Sequence, residues 1–248
     1  MEAHLNRIDG LDDAILTMFM SKRHMDRETE LNIRRLVAEN TATTVTSAIE
    51  ANRPIGSLIS LPDELNDYLR TLFKWGIQHI TMLRFIDLSI SVYGMHRGGQ
   101  DDTDAHSYRM NNRVIRASTR LAKFETGEMS DYYKGKIVPT DVALASLGIE
   151  TPDEIEYEGQ TYVRSVNGYI LKGHENNNDY RRGLYMLSIP SDFVYKVNLT
   201  EYSHMYKMRN INSTANPEVQ LHIEQVTDQL ETATMGFVTR ELLKAIPN

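Results

Sequence analysis

The residues whose placement suggests chemistry are arginines. Arg109, Arg113, Arg116 and Arg120 follow one another at spacings of four, three and four, with no acid between them. If residues 108–124 form a helix, as their pattern predicts, all four share one face. Like charges stacked in this way repel by about a few tenths of a kcal/mol per pair. An anion such as a phosphate would offset that and accept a planar, two-pronged contact from any of them. A solvated stripe, or pairing with acids elsewhere in the fold, would also do so. A fifth arginine closes the stretch Asn198 to Arg209, which reads as one amphipathic helix because Leu199, Tyr202, Met205, Tyr206 and Met208 recur near helical spacing. Asn198 is suited to cap its first turn. Arg209, taken alone, could be no more than a cation at the negative end of the helix dipole.

A second constellation is histidine and aspartate. His96, Asp101, Asp102, Asp104 and His106 fall within one short polar, glycine-containing loop and could hold a divalent metal through nitrogen and oxygen ligands. That makes a metal-dependent hydrolase one reading. The stretch lacks the fixed glycine and distal glutamate of a calcium-binding hand, so the bland reading is a solvated loop. His79, Ser118 and His204, each taken alone, read as a strand-edge histidine, a helix-surface serine and a packing histidine. The chain has no cysteine, which excludes disulfides, thiolate zinc sites and a cysteine nucleophile. No phosphate-cradling glycine loop ending in Lys-Ser/Thr and no Gly-x-Ser-x-Gly elbow is present.

The elements that must position these groups are mostly helical. Arg27 to about Ala51 reads as a helix weakened by the β-branched run Thr41 to Thr46. A helix starts at Leu61-Pro62-Asp63-Glu64, buries Leu65, Leu69, Leu72 and Phe73, and stops at Gly76. Ile86, Leu88, Ile90 and Val92 alternate with polar residues as a half-buried strand closed by Gly94. Residues 1–25 carry little pattern beyond an apolar run from Ala14 to Met20. The stretch from 125 to 180 reads as an insertion: a loop and short helix to Gly148, then a hairpin of Thr161–Val166 and Tyr169–Lys172 about an Asn167-Gly168 type I′ turn. Leu184–Ile189 and Phe193–Val197 are candidate strands. Asn216, Pro217 and Glu218 announce a helix with the seam Val219, Ile223, Val226 and Leu230.

Composition sets broad limits. Across 248 residues, 41% are hydrophobic and 25% charged, with a net charge of −7. That length can bury a full core, and the acidic balance argues against general affinity for a nucleic-acid polymer. No basic start followed by an apolar run, and no apolar stretch of bilayer length, is visible, so a cytoplasmic protein without a membrane segment is expected.

In order and spacing, two blocks resemble the flavin-dependent thymidylate synthases. Residues 189–243 carry the stronger likeness. Ile189-Pro190 followed by Phe193-Val194-Tyr195 is similar to that family's Leu-Pro and aromatic strand. Asn198, Arg209 and Ala215-Asn216-Pro217-Glu218-Val219 fall where the family has a helix-opening Asn, an Arg eleven residues on, and the start of the next helix. The second block runs from Pro62 to Arg120. The family signature is Arg-His-Arg-x-x-Ser-x-Asn-Glu-x-Ser-x-Arg-Tyr. Laid on Tyr108 to Leu121, it keeps Ser118 and Arg120. Tyr108, Arg109 and Met110 stand for Arg-His-Arg, Arg113 for the first Ser, Arg116 for the Glu and Leu121 for the Tyr. His79 with Thr81 lies where the family has a flavin-contacting His, and His204 and Thr200 take the places of flavin-touching residues on the helix after Asn198.

The resemblance implies a fold and an activity. The fold is α+β, a central antiparallel or mixed sheet with long flanking helices, forming one domain over residues 1–248 with an insertion at about 125–180 that holds the hairpin near 160–172. The activity is C5 modification, methylation or hydroxymethylation, of dUMP or a related pyrimidine nucleotide. FAD would be the cofactor, methylenetetrahydrofolate and NADPH the co-substrates, and a homotetramer with shared sites the assembly. Arg209 would polarise the pyrimidine ring. Ser118, Arg120, Arg109, Arg116 and Arg209 would bind the substrate, and His79, Arg113, Asn198 and His204 the cofactor, with no metal. The altered signature leaves a second outcome open, a relative that binds a nucleotide without flavin.

Overall fold

The computed structural model describes residues 1–21, 25–104, 113–116, 129–211 and 216–247, with 113–116 and 178 as backbone only. In chain order the elements are β1 (Glu2–Asp9), α1 (Leu11–Met20), α2 (Arg27–Glu39), α3 (Val45–Ala51), α4 (Asp63–Gly76), β2 (Asp87–His96), α5 (Arg97–Asp104) and β3 (Arg113–Arg116). Then come α6 (Thr140–Ser146), β4 (Glu154–Tyr157), β5 (Gln160–Ser165), β6 (Gly168–Leu171), α7 (Asn178–Gly183) and β7 (Pro190–Asn198). The chain closes with α8 (Leu199–Tyr206), a π-helical turn (Lys207–Ile211), α9 (Pro217–Ala233) and α10 (Arg240–Ala245). Among the described residues the strands form a four-stranded sheet in the order β1-β2-β7-β3 and a three-stranded sheet in the order β4-β5-β6. The expected α+β class holds.

The chain divides into two compact units. The larger comprises Glu2–Val92, Asp102–Ile115 and Val194–Asn248; the smaller comprises Met1, Tyr93–Asp101 and Arg116–Phe193. The core of the larger unit is built from the alternation read in β2, where Leu88, Ile90 and Val92 are fully buried, and from the α4 face of Leu65, Leu69 and Leu72. The α9 seam of Val219, Ile223, Val226 and Leu230 is buried without exception. Gly56, at φ +84°, sits so close to β1 that a Cβ there would lie 1.8 Å from the Ile8 carbonyl oxygen, so only glycine fits.

The residues up to Asp9 are a strand, which their composition did not announce. β1 is an outer strand of its sheet, and its unpaired edge is covered by side chains rather than by another strand. Gln225 Oε1 accepts from the Ala3 amide at 2.9 Å, and Gln229 Oε1 accepts from the Leu5 amide at 2.8 Å. Gln229 Nε2 returns a hydrogen bond to the Ala3 carbonyl at 2.8 Å. Farther along, Ile55 exchanges backbone bonds with Asn6 and Ile8. One turn of α9 thus presents amide groups that act as a surrogate strand.

Other expectations are corrected. The helix expected from Arg27 to Ala51 is two, because the chain between Asn40 and Thr44 turns out of helical conformation and Thr44 then caps α3 through the Ser47 amide. The loop expected from His96 to His106 is helical as far as Asp104. The helix expected over 108–124 is overturned at Arg113–Arg116, which is a strand; ladder pairing beside β7 outweighs local helical spacing, and strand positions three apart do not share a side. Leu184–Ile189 is not a strand, and Asn178–Gly183 just before it is helical with Asn177 as its cap.

In the smaller unit the β5–β6 hairpin stands, but its turn lies one residue earlier than expected. Ser165 pairs with Gly168, and of the intervening residues only Asn167 has positive φ. Gly168 belongs to β6, where an added Cβ would meet Leu184 Cδ2 at 2.9 Å. The turn with positive φ at both central residues, as type I′ requires, is Glu158-Gly159 between β4 and β5.

Gln229→Ala should lower the free energy of unfolding by about 1–3 kcal/mol, the scale of leaving partly buried strand amides unanswered. Urea titration should show this as a shifted midpoint with an unchanged slope.

Candidate functional site

The site is built from the junction of β7 and α8. β7 ends at Asn198, whose Oδ1 accepts from the amides of Thr200 at 3.1 Å and Glu201 at 3.0 Å and from the Thr200 hydroxyl at 2.6 Å. This is the predicted cap. α8 then buries Leu199, Tyr202, Met205 and Tyr206 as its spacing requires, but also Thr200, Glu201 and Ser203. It is therefore enclosed on nearly every side.

Polar ties fix its rotation. The Tyr202 hydroxyl donates to the Ile223 carbonyl at 2.9 Å and lies 2.8 Å from Thr227 Oγ1, both on α9. Ser203 Oγ donates to the Leu243 carbonyl at 2.7 Å on α10, and the Leu199 amide donates to the Ile86 carbonyl at 2.8 Å. Beside them the Tyr195 hydroxyl of β7 is 2.7 Å from His222 Nε2 of α9 in the core. Burial pushes His222 down from 6.5 to about 4 and pushes Tyr195 well up. The tyrosine therefore keeps its proton and donates to a neutral imidazole.

After Tyr206 the helix widens into the π turn Lys207–Ile211. Such turns are uncommon and concentrate at functional positions. The change of pitch is why Met208, expected on the buried side, is 44% exposed. Lys207 donates to the Ile246 carbonyl, and burial lowers its pKa. Arg209, half-buried, donates from Nη2 to the Asp102 carbonyl at 3.2 Å in the last turn of α5. A cation suits that end of a helix, and the contact holds one edge of the guanidinium.

The other sequence candidates are distributed as follows. His204 lies half-buried on α8. Arg113 and Arg116 lie on β3, the neighbour of β7 in the sheet. His79 is exposed, in the turn after α4, with its ring centroid 6.3 Å from that of Trp75. Arg109, Ser118 and Arg120 lie outside the described residues. Glu201 was not anticipated: it is 3% exposed, and its Oε2 has no hydrogen-bond partner. Nothing in its spacing distinguished it from an ordinary first-turn acid. Among the described residues no three histidine or acidic side chains gather in a way that could hold a metal ion. His96 of the metal reading is instead enclosed by Tyr132, with stacked rings at 5.9 Å, and by the edge of Tyr133 at 4.9 Å.

The whole-chain arrangement matches solved structures. Thymidylate synthase X (ThyX) from Helicobacter pylori, in two crystal structures with FAD and dUMP, superposes with TM-scores of 0.59 and 0.57, covering 98% of this chain and 100% of that one, at 13% sequence identity. The chain has the fold of thymidylate synthase X. No protein-family model and no curated protein sequence matches it.

His222 gives a pH signature for the packing behind α8. Its folded pKa lies below its unfolded value, so its contribution to stability is complete above about pH 6.5 and is lost as pH falls towards about 4. The loss should reach about 3 kcal/mol. Denaturation profiles at stepped pH should show it, and His222→Gln should flatten the profile within that window.

Proposed function

We propose that the chain binds a pyrimidine nucleotide and modifies its C5 carbon, by methylation or hydroxymethylation of dUMP or a related nucleotide, as an enzyme using FAD and a folate one-carbon donor. The observation that carries this reading is the likeness in fold, over 98% of the chain, to an enzyme solved with FAD and dUMP. Arg209 on its firmly docked helix supports it. A guanidinium presents planar, paired donors that match a flat ring with a carbonyl and adjacent nitrogen. Placed beside that ring, it stabilises negative charge as C5 becomes nucleophilic. Ser118, Arg120, Arg109 and Arg116 are the proposed partners for the rest of the nucleotide.

His79, Arg113, Asn198 and His204 are the proposed cofactor contacts. Their chemistry fits the group. With Oδ1 committed to the cap, Asn198 has its Nδ2 hydrogens left to donate, and exposed His79 offers ring nitrogens to carbonyl or phosphate oxygens. When bound, FAD supplies hydride and relays the one-carbon unit. Methylenetetrahydrofolate and NADPH follow as co-substrates. The chain then needs no nucleophile of its own, consistent with its lack of cysteine. A cytoplasmic homotetramer with sites shared between subunits, each chain one domain with the insertion at about 125–180, belongs to the same proposal. A second reading, nucleotide binding without flavin, is favoured by one observation: Arg113–Arg116 is strand where a signature helix was expected.

Purified protein that is yellow, absorbing near about 450 nm, is the expected outcome. Colourless protein that FAD cannot reconstitute, but that dUMP stabilises thermally, would establish the second reading instead. By calorimetry, Arg209→Ala and Arg120→Ala should each weaken dUMP binding by about 1.5–3 kcal/mol, the scale of a charged hydrogen bond. Two variants that bind as wild type does would overturn the site.

A further inference from the structure

The larger unit carries a cavity of about 590 Å³ that the nucleotide reading does not use. It lies between β1, α3 and the end of α9, and its size falls within the range of small-molecule sites, roughly 300–1,000 Å³. Its apolar wall is formed by Leu5, Val45, Ala48, Ile49, Pro54 and Ile55. Folding leaves two of these open to water: Val45 is 61% and Ile49 72% exposed.

Arg53 lines the same cavity and is half-buried. Its Nη1 donates to the Leu58 carbonyl at 2.8 Å and to the Thr232 carbonyl at 3.3 Å. Those two bonds fix the plane of the guanidinium. They leave over the Nε–Nη2 edge, which offers two parallel N–H donors to a carboxylate. Among the described residues nothing accepts from Nε or Nη2, no acid pairs with Arg53, and neither atom is sealed from solvent. Asp228, the acid among the lining residues, is answered by Arg240. One guanidinium balances one negative charge, whereas a phosphate dianion would keep a charge uncompensated against an apolar wall. We propose that this cavity binds a monocarboxylate with an apolar body. Arg53 Nε and Nη2 grip the carboxylate, and the body covers Val45, Ile49 and Pro54. The site is separate from the nucleotide site proposed above and does not rest on that reading.

2-Naphthoate is a suitable probe, since it joins two fused apolar rings to one carboxylate. Titrated into the full chain in a calorimeter, it should bind saturably at one per chain. 2-Naphthamide, its uncharged counterpart, should bind about tenfold more weakly or worse. Arg53→Gln should weaken naphthoate binding by about tenfold or more, the lower end for a charged hydrogen bond. That variant also gives up the two carbonyl bonds, so a second is needed that leaves the fold alone. Ile49→Glu, at an exposed position, should abolish binding with an unchanged thermal midpoint. Absence of saturable heat, equal affinity for 2-naphthamide, or wild-type affinity in either variant would overturn the proposal. A smaller native mass in Ile49→Glu would overturn it too, by showing that another copy of the chain covers this face.

Discussion

The junction at Asn198 is the constraint on which the candidate site depends. One amide oxygen accepts three hydrogens where a half-buried strand becomes a buried helix. Without it, the first turn of α8 would leave its amides unanswered in the core, where water cannot replace the lost bonds. The cap also fixes where α8 begins. That sets the angular position of every later residue on it, including the turn that carries Arg209.

Rotation about the helix axis is fixed by a second set of contacts. Tyr202, Ser203 and the Leu199 amide each bond to a different neighbour, α9, α10 and the segment before β2. The Tyr195–His222 pair beside them stays neutral because burial raises the cost of either charge. Such buried hydrogen bonds to three neighbours give a helix one position rather than several of similar energy. The π turn then departs from regular geometry only after this anchored region, and it does so at the residue pair Lys207 and Arg209. Both donate to backbone carbonyls.

Much of this was legible from spacing. The α4 face, the Asn198 and Asn216 caps and the α9 seam are local patterns with one dominant solution, and each is found as read; the β2 strand is also found, but it runs through Gly94 to His96 and buries Ser91 as well as its apolar side. β1 was not legible because half of its partners are glutamine side chains more than two hundred residues away. The strand at Arg113–Arg116 was misread for a related reason. Its arginine spacing satisfies a helix, and only the neighbouring β7 makes a strand the better choice. At Asn167-Gly168 the favoured dipeptide was present, but packing of Leu184 against Gly168 draws the glycine into β6 and shifts the turn.

The sequence by itself determined the α+β class, the helix boundaries set by caps and prolines, and the order of residues that resembles flavin-dependent thymidylate synthases. These follow from interactions within a few residues, or from composition. Tertiary structure alone decided which outer strand is covered and by what, that Glu201 is buried, and that the helix after Asn198 ends in a π turn holding Arg209 against α5. Each of these depends on which distant surfaces meet, and the free energy of that meeting is set by contacts that no local periodicity encodes.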